Sequence, residues 1–195
     1  MEKPIKTGLF QKQRQFETFL TKNKTKGEKK MNERKNDTYV TKIVQAAMIA
    51  ALYVVLTFIA NAFGLANYAI QVRFSEALTI LPYFTPAAVP GLFVGCLLSN
   101  ILTGCMPLDI VFGSLATLIG AVGTRMLRKH KWLAPIPPIV ANTIIVPFVL
   151  AYVYQFEGSI PYFMLTVGAG EIISCGILGM INLHALEKHA GRIFR

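Results

Sequence analysis

The chain has 195 residues, 53% of them hydrophobic and only 15% charged, with a mean hydropathy of +0.48 and a formal net charge of +10. No ordinary soluble domain needs that composition, so the chain reads as an integral membrane protein. Charge is unevenly spread: residues 1–42 hold 12 of the 20 Lys and Arg and 5 of the 10 acids, leaving 8 basic and 5 acidic side chains for the rest.

Residues 1–38 read as a basic cytoplasmic tail. The tail lacks the apolar stretch of a secretory signal peptide, so no cleavage is expected. Its Lys-rich run, Lys22 to Lys35, is too polar to bury a core and is expected to stay disordered. A nucleic-acid arm is one reading; the favoured one is a positive flank that fixes membrane topology. Met31 opens a second plausible start, which leaves the status of residues 1–30 open. Residues 39–188 form the membrane domain, and 189–195 a short basic cytoplasmic end.

Apolar segments run over roughly 40–62, 87–104, 108–127, 133–156 and 159–184, each near the 20 or so residues that cross the hydrocarbon. The segment 68–84 is doubtful by length, and charge decides it. The basic clusters are the tail, the loop with Arg125, Arg128, Lys129 and Lys131, and the end with Lys188, Arg192 and Arg195. All three fall on one side only if 68–84 crosses, and cytoplasmic loops carry the excess of Lys and Arg. The expected fold is therefore an all-α bundle of six transmembrane helices with both termini cytoplasmic. Arg73, Glu76, Asp109 and Glu157 then lie at or near the outer face, and Glu171 about midway along the last helix. Pro147 is expected to kink the fifth segment.

Within these segments Arg73 and Glu76 stand three residues apart, a spacing that lets opposite charges share a helix face and pair. Charges inside a bilayer are costly and face the protein interior, a cavity or a substrate path. A structural ion pair between helices is the plainer reading. Gly91, Gly95 and Ser99, then Ala116, Gly120 and Thr124, then Gly170, Ser174, Cys175 and Gly179 recur at a spacing that lets helix backbones approach, and internal packing is the expectation for all three sets. Ala46, Ala47, Ala50 and Ala51 make two overlapping Ala-x-x-x-Ala pairs, a smooth face for internal packing or for a partner's helix. Cys96, Cys105 and Cys175 lack metal or disulfide spacing and read as packing residues. His130, His184 and His189 show no ligand spacing, so no metal is implied. The chain carries neither a Gly-x-x-x-x-Gly-Lys phosphate loop nor a nucleophile elbow or zinc-protease motif.

The run QVRFSEALTILPYFTPAAVPGLFVGCLLSNIL at 71–102, DIVFGSLATLIGA at 109–121 and GEIISCGILG at 170–179 resemble the QueT family. The likeness extends over roughly 40–188; the long tail before Met31 departs from it. The resemblance implies a substrate-binding S component of an energy-coupling factor (ECF) uptake system in a bacterial cell membrane. Such a protein binds one vitamin-like molecule from outside and docks on a transmembrane coupling protein driven by two ATPases. It implies no cofactor in this chain, with ATP hydrolysed by the partners. It also implies that Ala46, Ala47, Ala50 and Ala51 carry the docking face, the outward register being open.

The implied ligand is a deazaguanine on the way to queuosine, the aminomethyl form or queuine. Such a ring offers adjacent N–H donors to a carboxylate, a carbonyl to a donor, and a flat face to an aromatic side chain, with stacking contributing about 1–3 kcal/mol. Glu76 and Glu171 are the leading carboxylates and Asp109 the third. Arg73 either donates to the carbonyl or holds Glu76. Asn100 and Asn142 are candidate amides. Phe63, Tyr68 and Phe74, in or beside the first outer loop, are candidate stacking residues and that loop a candidate lid. Glu171 as an interhelical bond, Asp109 as a helix N-cap and the aromatics as interfacial anchors are the plainer readings. The alternatives in function are an S component for a flavin or thiamine-type vitamin, a small membrane enzyme using Glu76 and Glu171, and a scaffold without ligand.

Overall fold

Prolines and glycines cut the apolar sequence into helices, and short loops between them force neighbouring helices to run antiparallel. A computed structural model describes residues 36–64 and 72–193. Residues 1–35 of the expected tail, Tyr68 and most of the expected lid loop lie outside the described residues. Two compact units meet at Lys42/Ile43. In the first, residues 36–42 are exposed helix, with the Thr41 hydroxyl donating to the Asp37 carbonyl at 2.8 Å. Everything that follows concerns the unit from Ile43 onward.

The elements are α1 (Asn36–Ala62), a 3-10 helix (Phe74–Tyr83), α2 (Ala88–Leu102), α3 (Pro107–Met126), a 3-10 turn (Lys131–Leu133), and α4 (Ile136–Tyr152). They continue with α5 (Ile160–Glu171), a π-helical stretch (Ile172–Leu178), α6 (Gly179–Glu187) and α7 (Ala190–Ile193). Among the described residues there is no strand. Among the described residues four stretches are long and apolar enough to cross a membrane: Asn36–Ala62, Pro107–Met126, Lys131–Tyr152 and Ile160–Glu187. The chain is thus an all-helical, multi-pass membrane protein. The doubtful span at 68–84 is only a 10-residue 3-10 helix, about 20 Å long at ~2.0 Å per residue against the ~30 Å of hydrocarbon. At 15 residues α2 is also short, about 22 Å.

Small residues set the helix spacing, as the sequence pattern anticipates. A Cβ on Gly91 would stand 2.7 Å from the Ala46 carbonyl oxygen, and one on Gly95 would stand 2.8 Å from Cβ of Tyr53, so α2 lies directly against α1. A Cβ on Gly120 would come within 2.7 Å of Pro138, closing α3 on α4 in the same way. Lipid offers no hydrophobic drive for association, so this backbone proximity and its dispersion contacts hold the helices. Ile49, Tyr53, Leu78, Leu81, Leu92 and Cys96 build the apolar cluster between α1, the 3-10 helix and α2.

The 3-10 helix is fixed from outside itself. At its C-terminal end the Arg125 guanidinium of α3 donates to the Pro82 carbonyl at 3.1 Å, a cation on carbonyls that lack helical partners. At its start the Arg73 N–H donates to Ser174 Oγ at 3.1 Å.

Gly91→Ala is expected to destabilise by about 1–3 kcal/mol, because the new methyl meets the α1 backbone at Ala46 and cannot be accommodated by a rotamer change. Gly176→Ala, whose nearest neighbours lie at 3.8 Å, serves as the control. Thermal melting of both variants in detergent is the check, and equal midpoints would contradict the close α1–α2 contact.

Candidate functional site

Two polar centres lie inside the helices, one an open cavity and the other fully enclosed. The cavity has a volume of about 890 Å³. It is lined by the C-terminal part of α1 (Thr57, Ala60, Asn61), the end of α2 (Asn100, Thr103) and the first turn of α3 (Asp109). The far end of α4 and the beginning of α5 complete the wall. Helix ends alternate in direction along the chain, so these parts all gather at one end of the bundle.

Three of the candidates meet there: Arg73, Asn100 and Asp109. Asp109 is not a helix cap. The N-cap of α3 is Met106, followed by Pro107, which puts Asp109 third in the helix, within its first turn. Its buried carboxylate instead accepts the Tyr154 hydroxyl at 2.8 Å and benefits from the positive end of α3. Burial pushes the Tyr154 phenol up, and its hydrogen bond to Asp109 pushes the same way, so it remains a donor. A Cβ on Gly113 would lie 3.2 Å from Asn100 Nδ2 and 3.4 Å from Asp109 Oδ1, which sets amide and carboxylate side by side.

The expected Arg73–Glu76 ion pair does not form. Among the described residues the ion pair within 4.0 Å is Lys131–Glu187 at 3.5 Å. Arg73 is the N-cap of the 3-10 helix with extended backbone, φ −103 and ψ 108, so the helical i, i+3 geometry does not apply to it. Arg73 lines the cavity, with Asp109 and Glu76 within its electrostatic reach.

Glu76 turns the other way, and with Glu171 and Asn142 it forms the enclosed centre. None of the three lines the cavity. Glu76 accepts the Tyr53 hydroxyl of α1 and, at 3.5 Å, the Asn142 amide of α4. Glu171 accepts the Cys175 thiol at 3.1 Å. The carboxylate oxygens and the Cys175 sulfur lie within 4.8 Å of one another, close enough in type and spacing to suit a cation, but each already has a protein partner. Ser75, next to Glu76 in sequence, is buried with no hydrogen-bond partner for its hydroxyl among the described residues. The helix runs in π register just after Glu171, widening the turn that carries Ser174 and Cys175.

The aromatic candidates fare differently. Phe63 is 71% exposed and Phe74 half-buried, and neither lines the cavity; Tyr68 lies outside the described residues. The aromatic wall is instead Tyr154, Phe156, Tyr162 and Phe163, which sequence reasoning missed. Their signal was four aromatics within ten residues across the 156–160 turn. Tyr154 and Phe156 stack with ring centroids 5.6 Å apart. The turn is built by a reversal at the end of α4: Tyr154 N–H donates to the Val149 carbonyl and Phe156 N–H to the Leu150 carbonyl, with Gln155 between them at φ 52. Glycine is usual in that left-handed position, and here Gln accepts the strain. Ser159 then caps α5 through the Tyr162 N–H.

On α1 the register left open by the sequence is resolved. Ala46 and Ala50 face inward against Gly91 and Gly95, while Ala47 and Ala51 are exposed. Only the second pair offers an outward face.

Fold and cavity define a multi-pass membrane protein with a ligand-sized chamber at one end of its helices. A family model described as QueT transporter matches residues 43–188, most of the chain. The chain belongs to the QueT transporter family, a family of transporters and not of enzymes. It is similar to the queuosine precursor transporter QueT of Lactococcus lactis subsp. cremoris (strain MG1363), with 35% identity over 99 residues, 50% of this chain. The match spans 57% of that relative's length. No solved structure matches.

Tyr53→Phe leaves the Glu76 carboxylate short of a donor in a buried place and is expected to lower stability by about 1–3 kcal/mol. Asn100→Ala, at the cavity, is expected to change ligand binding more than stability. Melting temperature and binding measured on both variants separate the two centres; a stable Tyr53→Phe protein with lost binding would reverse their assignment.

Proposed function

We propose that this chain is the membrane subunit that captures a deazaguanine queuosine precursor and passes it to a coupling protein driven by two ATPases. The observation that carries the reading is the cavity lined by Arg73, Asn100 and Asp109 together with the aromatic side chains Tyr154, Phe156, Tyr162 and Phe163. A guanine-type edge presents two N–H donors beside a carbonyl. Asp109 accepts from the donors, Arg73 gives to the carbonyl, and Tyr154, Phe156, Tyr162 or Phe163 covers the ring face. Family membership and the likeness to a queuosine precursor transporter of Lactococcus support this substrate class.

Asp109 replaces Glu76 and Glu171 as the ligand carboxylate in this reading. The enclosed pair then holds α1, the 3-10 helix, α4 and α5 in place around the chamber. The 3-10 helix and α2, though short, complete six crossings with both ends cytoplasmic, which puts the basic clusters on one side and the cavity on the outer side. The exposed Ala47 and Ala51 face of α1 is the docking surface for the coupling protein.

Calorimetric titration of the detergent-solubilised chain with queuine, aminomethyl deazaguanine, guanine and riboflavin tests the reading. One-to-one binding of a deazaguanine without heat from riboflavin is expected. Asp109→Asn and Arg73→Gln are each expected to weaken it by roughly 10- to 100-fold, the worth of a hydrogen bond to a charged group. Silence with every deazapurine from folded protein would sink the assignment.

A further inference from the structure

We propose that Glu157 is a specificity residue at the mouth of the cavity that selects deazaguanines bearing a positively charged amine over neutral ones; this rests on the reading above. Three ionisable side chains with formal charge line the cavity: Arg73, Asp109 and Glu157. They differ in surroundings. Asp109 is buried and already receives the Tyr154 hydroxyl. Glu157 is exposed, and among the described residues it has neither an ion pair nor a hydrogen bond. It is not spent on holding the fold.

The rim around it is constructed. The reversal at the end of α4, with Gln155 held at φ 52, sets Tyr154 and Phe156 in a stacked pair immediately before Glu157. A carboxylate beside aromatic faces is an environment that attracts an ammonium, through charge and through the ring quadrupole. Placement on the rim also suits the energetics. A neutral ring edge loses little by entering the chamber, whereas an ammonium stripped of water loses much. A carboxylate that is itself in water lets the amine remain partly hydrated while the ring goes in. Ligand amine at the mouth and ring edge at Asp109 and Arg73 therefore divide the work between two carboxylates of unequal burial. Bulky additions to the amine would extend outward rather than into the wall.

The test compares aminomethyl deazaguanine with the neutral cyano deazaguanine on the full chain in detergent. Wild type is expected to favour the amine. Glu157→Gln is expected to weaken binding of the amine about fivefold, as an exposed ion pair allows, and to leave the cyano compound unchanged. Glu157→Asp is expected to retain the preference, and raising salt to erode it in wild type but not in Glu157→Gln. An unchanged preference in Glu157→Gln, or an equal loss for both ligands, overturns this role and leaves the parent reading standing. Binding of neither ligand by wild type overturns both.

Discussion

The arrangement depends on a carboxylate that has no water to meet. Glu76 is 1% exposed, on a helix too short to cross the hydrocarbon by itself. A buried carboxylate is tolerated only when donors reach it, and these come from elsewhere: the Tyr53 hydroxyl on α1 and the Asn142 amide on α4. One acid therefore ties two helices distant in sequence to the 3-10 helix between them. The Arg73 amide on Ser174 and the Arg125 guanidinium on Pro82 tie down its two ends. Fixed in this way, the short helix presents Arg73 at a defined height in the chamber.

The close glycine contacts follow from the same constraint. Tyr53 can reach Glu76 only if α1 lies deep against its neighbours, and Gly91 and Gly95 make that approach possible. The approach uses up the inward register, Ala46 and Ala50. The outward register, Ala47 and Ala51, is thereby left to lipid or to a partner.

Much of this was legible in the residues. Small-residue spacing signalled the helix contacts because steric fit is a local property, and Gly91, Gly95 and Gly120 all serve it. Charged residues in an apolar chain stand out, since the bilayer penalises them wherever they point. Their direction was not legible. A spacing of three implies a shared face only inside a helix, and Arg73 stands just outside one. Glu76 and Glu171 are 95 positions apart and meet only after folding. The aromatic wall was missed for a related reason: Tyr and Phe near a membrane surface read as interfacial anchors. Whether they turn inward depends on the Gln155 reversal, which has no glycine to announce it.

That reversal explains why the cavity is asymmetric in chemistry. The walls from α1, α2 and α3 contribute hydroxyls, amides and Asp109, because their small and polar residues already face the interior to let backbones approach. The wall from α4 and α5 contributes aromatics, because the chain must turn back there and its side chains are thrown over the opening. The same helix contacts that hold the bundle together thus also decide which side chains line its chamber.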